Sequence, residues 1–513
     1  MTSFLYISAA GVAGFAVMAF ELAVSRMAAP VFGTSLPIWA TIISVVLLGG
    51  ALGYGLGGRL SHRSNPATWA GLGFMASGVV VSVAAVLFPM MLSVGSDAGG
   101  QGMLVRGAVL LVLGGAAMAP FVGLGLVMPL LIRAGVTDVS HSGRIAGKLS
   151  AAGAVGSLAG TLSSAFFFFG AIGVRGTTLL VAALLLVVGA LLLGRRRRML
   201  PVVLPVLVGA AALSTFLSSS KATTFAGKKV IVDTESGEHA RILVLEDRMG
   251  RRELRLDMGV SVQSVYDPRG PSRYGSWPLF LLAALLRDPC DRAPGSVLVL
   301  GTAAGTVARD LSFAYPEARV TGVDADRALL DIGRRYFDVP PKTQLVAGDG
   351  RAVMRRLDGA YDLIFLDAYR DIYVPFHLAT DAFFREGRSR LAGGGVFAAN
   401  ILFLENEQAL LTRIMTTMAS VFENVAVLRT PGSMNAILFG WDGRALSEID
   451  PVRCALPEHR GQARRTVARF DDLEPFMADT AAGVLTDDRS DVEYLTHRIA
   501  WRALVNSLHG VDR

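Results

Sequence analysis

Seven apolar stretches, each near the roughly 20 residues that a helix needs to cross a bilayer, follow one another in the first 217 positions. They run from Phe4 to Val24, Leu36 to Gly58, Trp69 to Leu92, Met103 to Ile132, Leu149 to Phe169, Thr177 to Leu193 and Met199 to Leu217. In lipid a backbone must satisfy its own polar groups, so such a series predicts a multi-pass helical membrane domain. The fourth stretch is overlong and carries Pro120 and Pro129, which predicts a kink or a partly re-entrant course. Gly49, Gly53 and Gly57, and Gly153, Gly156 and Gly160, have the spacing of close helix packing, although membrane helices are glycine-rich in any case. Glu21 and Arg26, near the end of the first stretch, read as an interfacial pair, because charge at depth is costly. The start of the chain has no basic segment and no small-residue cleavage site, so it reads as a first helix and not a removed leader.

Mean hydropathy of +0.48 with only 18% charged residues agrees with partial embedding in a lipid bilayer. The net charge of +7 does not argue for nucleic acid. Its densest run, Arg195 to Arg198, abuts an apolar stretch, and no basic patch is interleaved with aromatics. Basic residues instead mark alternate loops: Arg59, His62 and Arg63, then Arg133, Arg144 and Lys148, then the Arg195 run. By the positive-inside rule those loops are cytoplasmic, and seven spans then leave everything after Leu217 outside. A cytosolic nucleotide-like cofactor requires the opposite side, so the two expectations for a plasma-membrane protein conflict.

After Ser218 the composition changes. Lys229-Val-Ile-Val-Asp233, Ala240-Arg-Ile-Leu-Val-Leu-Glu246 and Arg252-Glu-Leu-Arg-Leu-Asp257 predict a small β-meander. From Ser296 to Gly440, strand-like runs alternate with helix-like segments such as Arg327 to Tyr336, the pattern of a Rossmann-like α/β core with a parallel sheet. The division is therefore 1–218 membrane helices, 219–290 small β-domain and 291–513 α/β domain with a helical tail. Cys290 and Cys454 are far apart, lack metal-ligand spacing and read as ordinary thiols. His377 has no ligand-spaced neighbours, so no metal is expected.

Each apolar run of the α/β segment leads to a placed residue. Ser296-Val-Leu-Val-Leu opens into Gly301-Thr-Ala-Ala-Gly305, a turn whose glycines let backbone approach a ligand. About 20 residues on, Asp324 closes the next run, where a carboxylate can accept both ribose hydroxyls. Gln344-Leu-Val-Ala leads to Gly348-Asp349-Gly350, an Asp-Gly turn or an acceptor for an adenine amino group. Tyr361-Asp-Leu-Ile-Phe-Leu leads to Asp367, beside Tyr369, Asp371 and Tyr373, an acidic and aromatic rim suited to an amine. Helix capping is the ordinary alternative for Asp324 and Asp367 taken singly.

Together these motifs resemble the bacterial membrane-bound spermidine synthase-like proteins, described as transporter and spermidine-synthase fusions. Phe20-Glu-Leu-Ala-Val-Ser-Arg26 and Leu48-Gly-Gly-Ala-Leu-Gly-Tyr-Gly-Leu-Gly-Gly-Arg59 carry the likeness in the first half. Leu256-Asp-Met-Gly-Val-Ser-Val-Gln263, Gly348-Asp-Gly350, Val374-Pro-Phe-His377-Leu and Leu485-Thr-Asp-Asp488 carry it in the second. The resemblance implies transfer of an aminopropyl group from decarboxylated S-adenosylmethionine to an amine such as putrescine, with no metal. Asp324 would hold the ribose, Asp349 the adenine, and Asp367 would bind and deprotonate the amine; Gln263, Tyr274 and Asp371 would line the substrate side. Two positions depart from the pattern, Ala304 and Arg370, each where an acid is usual. They favour the alternative of an S-adenosylmethionine-dependent methyltransferase acting on a membrane-associated substrate. A third class is a membrane transporter or sensor that binds polyamine or nucleoside without turnover. Oligomeric state, a homo-oligomer included, is left open.

Overall fold

The computed structural model describes residues 2–194 and 224–509, apart from 33–35, 97–101, 137, 226, 235–240, 257–261, 274, 369–374, 405–406, 430–433, 455–466 and 478–481. The chain divides into two compact units, Met1–Ala222 and Thr223–Arg513.

The first unit is helical: α1 (Thr2–Phe32), α2 (Leu36–Leu60), α3 (Pro66–Ser96), α4 (Gly102–Gly135), α5 (Ser142–Ser163) and α6 (Phe169–Leu192). Among the described residues, five runs of helix are long and apolar enough to cross a membrane: Phe4–Ala28, Leu36–Leu60, Pro66–Ala85, Met118–Gly135 and the 51-residue run Ser142–Leu192. That last run carries two of the expected spans, α5 and α6, joined by a π-helical turn at Ser164–Phe168. Gly173, with φ 70° and ψ 176°, breaks the helical path just beyond it. The span expected from Met199 to Leu217 lies outside the described residues. Pro120 and Pro129 both sit inside α4, which continues through them as one helix, and the Pro120 carbonyl accepts the Ser77 hydroxyl at 3.0 Å. The glycine spacings are packing faces: a Cβ on Gly53 would collide with the Val122 carbonyl of α4, and one on Gly156 with the Gly11 carbonyl of α1. Leu47, Leu52, Val155, Leu158 and Phe166 are exposed, as a lipid-facing surface requires. Glu21 is buried, while the Arg26 guanidinium lies over the Phe169 ring, 5.5 Å from its centroid.

The second unit opens with a five-stranded antiparallel meander in sequence order: β1 (Thr224–Phe225), β2 (Lys228–Thr234), β3 (Ile242–Glu246), β4 (Arg252–Leu256) and β5 (Val262–Tyr266). The apolar stretch that follows forms a 3-10 turn, Trp277–Leu282, and a short helix α7, Ala283–Leu286, whose residues are buried in the core of the next layer. Then come β6 (Ser296–Leu300), α8 (Thr306–Ala314), β7 (Arg319–Asp324), α9 (Arg327–Tyr336), β8 (Gln344–Ala347), α10 (Gly350–Arg356), β9 (Tyr361–Leu366), α11 (Asp381–Ser389) and β10 (Leu391–Leu402). The chain finishes with α12 (Ala409–Ala419), β11 (Asn424–Arg429), β12 (Asn435–Trp441), α13 (Pro451–Cys454), β13 (Glu474–Pro475) and α14 (Val492–His509). The eight-stranded sheet has the order β13-β11-β12-β10-β9-β6-β7-β8. Strands β10-β9-β6-β7-β8 are parallel, and β12, β11 and β13 extend the sheet antiparallel.

Val297 to Leu300 and Leu363 to Phe365 are wholly buried because both faces of the central parallel strands are covered. One apolar cluster, built on Phe383, Phe384, Phe397 and Phe422, fills one face; another, with Phe280, Phe365 and Trp441, fills the other. The expectation of two ordinary thiols is corrected: Cys290 and Cys454 form a disulfide with Cα atoms 5.0 Å apart. Their separation of 164 residues conceals the pairing, because only the fold brings the turn before β6 against α13.

Candidate active site

Strand order reverses between β6 and β9, and the crevice at the carboxyl ends of such a pair is where open α/β sheets bind ligands. Leu300 pairs with Val323 and with Leu366, and Asp324 with Ala347, so β8, β7, β6 and β9 end side by side. Gly301, Asp324, Asp349 and Asp367 therefore share one edge of the sheet.

The turn after β6 is drawn tight. Gly301 has φ 87°, and a Cβ there would overlap the Asp367 carbonyl, so only glycine lets this turn lie against the end of β9. The Gly301 and Thr302 N–H groups donate to the Val323 carbonyl at 2.9 Å. The Ala303 N–H donates to Asp324 Oδ2 at 2.7 Å, while Asp324 Oδ1 accepts the Asp326 N–H at 2.9 Å. Asp324 thus holds the glycine turn against the end of β7. Gly305, at φ 88°, opens α8. Ala304 is fully buried and packs with Ile242, Val244, Leu254, Leu329, Ile332 and Phe337.

Asp349 caps α10, accepting the Ala352 N–H at 2.9 Å, and its Oδ2 lies 2.8 Å from His377 Nε2. Partial burial opposes its charge, but the Ala352 N–H and His377 outweigh that and hold the carboxyl below the usual aspartate range. Gly350 is the first residue of α10, against Leu300.

Asp367 stands one residue past β9, its own N–H donating to the Leu300 carbonyl at 2.8 Å. Enclosure by protein atoms pushes its carboxyl up to about 6, with hydrogen bonds from Asn400 and Trp277 offsetting part of the rise. Asn400 Nδ2 donates to Oδ1 at 2.8 Å and Trp277 Nε1 to Oδ2 at 3.1 Å. Both donors are neutral, so the carboxylate is oriented without being neutralised by a cation. It sits near the pH at which a group can both take and release a proton.

Gln263 lies on β5, beside Ser264, whose hydroxyl accepts the Ala304 N–H at 3.0 Å. Tyr274 and Asp371, with Tyr369, Arg370 and Tyr373, lie outside the described residues. Among the described residues there is no cluster of three or more His, Cys, Asp or Glu able to hold a metal. Sequence reasoning missed Asn400 and Trp277. The available signal was a polar residue closing the apolar run Val396-Phe-Ala-Ala-Asn400, and one of only five tryptophans just beyond Tyr274.

Residues 285–437 match the spermine/spermidine synthase domain family. The chain is 33% identical over 218 residues to a probable polyamine aminopropyl transferase of Bifidobacterium longum, spanning 39% of this chain and 48% of that protein. It is 31% identical over 284 residues to the polyamine aminopropyltransferase of Vibrio vulnificus, spanning 54% of this chain and 88% of that one. The match thus spans about half the length of the first relative and most of the second. Among solved structures, a probable spermidine synthase from Corynebacterium glutamicum aligns with TM-score 0.41 at 20% identity, over 50% of this chain and 94% of that chain.

Proposed function

Because this chain belongs to the polyamine aminopropyltransferase family, we propose that its second unit transfers an aminopropyl group from decarboxylated S-adenosylmethionine to an amine of the putrescine type. The observation that carries this reading is Asp367, a carboxylate raised to about 6 and oriented by two neutral N–H donors where the strand order reverses. An alkylammonium is not a nucleophile; it must first give up a proton. Asp367 takes that proton, and the freed nitrogen attacks the aminopropyl carbon bonded to the sulfonium. The new C–N bond forms as the C–S bond breaks, sulfur keeps the electron pair, and methylthioadenosine leaves. Asp324 and the Gly301 turn hold the nucleoside's ribose side, and Asp349 its base. Gln263, Tyr274 and Asp371 are proposed on the amine side. The apolar helices of the first unit support a multi-pass anchor in the plasma membrane.

A second reading, methyl transfer from S-adenosylmethionine, is favoured by one observation: position 304, where the resemblance expects an acid, is an alanine buried among apolar side chains, so it offers no charge to a cofactor amine. The test is incubation of the purified full-length protein with putrescine and either cofactor, with products followed by mass spectrometry. Methylthioadenosine and spermidine from the decarboxylated form are the expected result. S-adenosylhomocysteine from the intact form, with no spermidine, would replace the first reading by the second.

A further inference from the structure

His377 touches Asp349 from outside the set of residues assigned to the cofactor. Its Nε2 is 2.8 Å from Asp349 Oδ2, and Oδ1 of the same carboxylate accepts the Ala352 N–H at 2.9 Å. With an ionised carboxylate as the acceptor, Nε2 must carry the proton. Backbone N–H donors of Ala352 and Arg351 and the His377 imidazole together fix both torsions of a side chain that is otherwise half exposed. Each oxygen still has a lone pair to offer, so Asp349 can accept a further N–H but has none to give.

His377 is itself held by groups that face away from the crevice. Its carbonyl accepts Arg351 Nη1 at 3.1 Å. The same guanidinium binds Glu386 Oε1 at 2.8 Å and both oxygens of Asp487 at 2.8 and 2.9 Å. Thr380, the cap of α11, donates its hydroxyl to Asp487 at 2.6 Å. An ion network on α10, α11 and the 485–488 segment therefore sets where the imidazole stands, and the imidazole sets Asp349.

We propose that His377 is a positioning residue that locks Asp349 as a pure acceptor for the exocyclic amine of a 6-aminopurine, so that the second unit selects adenine over 6-oxopurine nucleosides. This rests on the nucleoside reading of the site given above. A 6-amino group supplies the N–H that Asp349 lacks. A 6-oxo group would set an oxygen against a fixed carboxylate, leaving two acceptors face to face.

The test is calorimetric titration of the full-length protein in detergent with methylthioadenosine and, separately, methylthioinosine. The wild-type protein is expected to prefer the adenine nucleoside by about tenfold or more, the factor carried by one well-placed hydrogen bond. In His377→Ala the preference should narrow to within about threefold, through weaker adenine binding with the inosine affinity held. His377→Gln keeps an N–H within reach and should restore the preference. His377→Phe keeps the ring without the donor and should not, which covers the case of an Ala variant that fails to fold. A merely structural histidine would weaken both nucleosides in parallel. An unchanged ratio in His377→Ala or His377→Phe, or no rescue by His377→Gln, overturns this inference alone. Wild-type protein that binds neither nucleoside overturns the nucleoside reading and this inference with it.

Discussion

Enclosure raises the Asp367 carboxyl to about 6, whereas an unfolded aspartate titrates near 3.9. The native state therefore holds this proton to higher pH than the unfolded chain does. The residue's contribution to stability is undiminished below about pH 4, falls as pH rises through 6, and stays low above it. The shift corresponds to at most ~3 kcal/mol, less whatever the side chain's partial opening to solvent screens. Asp367→Asn removes that cost and keeps the volume. Thermal melts at pH 8 should show the variant stabilised, by up to about 2–3 kcal/mol, with the gain shrinking toward pH 4. Turnover should fall by at least about 100-fold, as loss of a general base does, with methylthioadenosine affinity nearly unchanged. A variant that melts like wild type at both pH values would mean that Asp367 is better solvated than its surroundings indicate. The Asp367 position was legible because an apolar strand ending in an acid is a local pattern. Trp277 and Asn400 were not, because they reach Asp367 from 90 and 33 positions away in the chain.

Among the secondary-structure elements, the knot around Arg351 joins α10, α11 and the 485–488 segment through Glu386 and Asp487. Glu386 and Asp487 are each held down to about 2. Burial works against the Glu386 charge but Arg351 and Arg355 outweigh it, and for Asp487 the Arg351 hydrogen bond is the largest cause. Depressed carboxylates stabilise the fold above their unfolded values near 4 and lose that contribution as pH falls toward 2. Asp487 is about half exposed, so solvent screens its share and Glu386 carries more. Arg351→Ala leaves both carboxylates without their shared cation, and it should lower stability at pH 7 by about 2–3 kcal/mol. It should also weaken the dependence of stability on pH between about 4.5 and 2, since Asp487 then titrates nearer its unfolded value while Glu386 keeps its pairing with Arg355. Urea denaturation at pH 7 and at pH 3 measures both effects. Equal losses at the two pH values would place the damage in packing and not in charge. The strands and helices of this layer were readable from apolar runs with turn residues between them. The knot was not, because nothing local to Leu485-Thr-Asp-Asp488 shows that the fold sets Asp487 against a helix 136 residues earlier.

For the molecule as a whole, two features of different origin bear on the compartment of the second unit. The chain's only two cysteines are bonded and buried, and such bonds persist where the surroundings are oxidising. By the positive-inside rule the basic residues at 59–63, 133–148 and 195–198 would mark cytoplasmic loops, and the seven spans expected from the sequence would then leave the rest of the chain outside. Charge order with seven spans, and the disulfide, favour an extracytoplasmic second unit, whereas a cytosolic cofactor favours the opposite side, and a fusion experiment decides between them. The outcome expected is an active alkaline phosphatase fused after Arg513, and a dark green fluorescent protein at the same place. In cells lysed in denaturant with a maleimide polymer, Cys290 and Cys454 should take up label only after reduction. The closed loop is long enough that, in the chain-entropy account, the bond restrains the unfolded chain by ~5 kcal/mol, so reduction should lower the melting temperature of the purified protein markedly. Fluorescence from the fusion, with two thiols labelled before reduction, would put the second unit in the cytosol beside its cofactor and remove the bond from the account of its stability. An active phosphatase requires that an adenosyl co-substrate reach the outer face of the membrane, so the activity at Asp367 would then be tested with the co-substrate supplied from outside the cell.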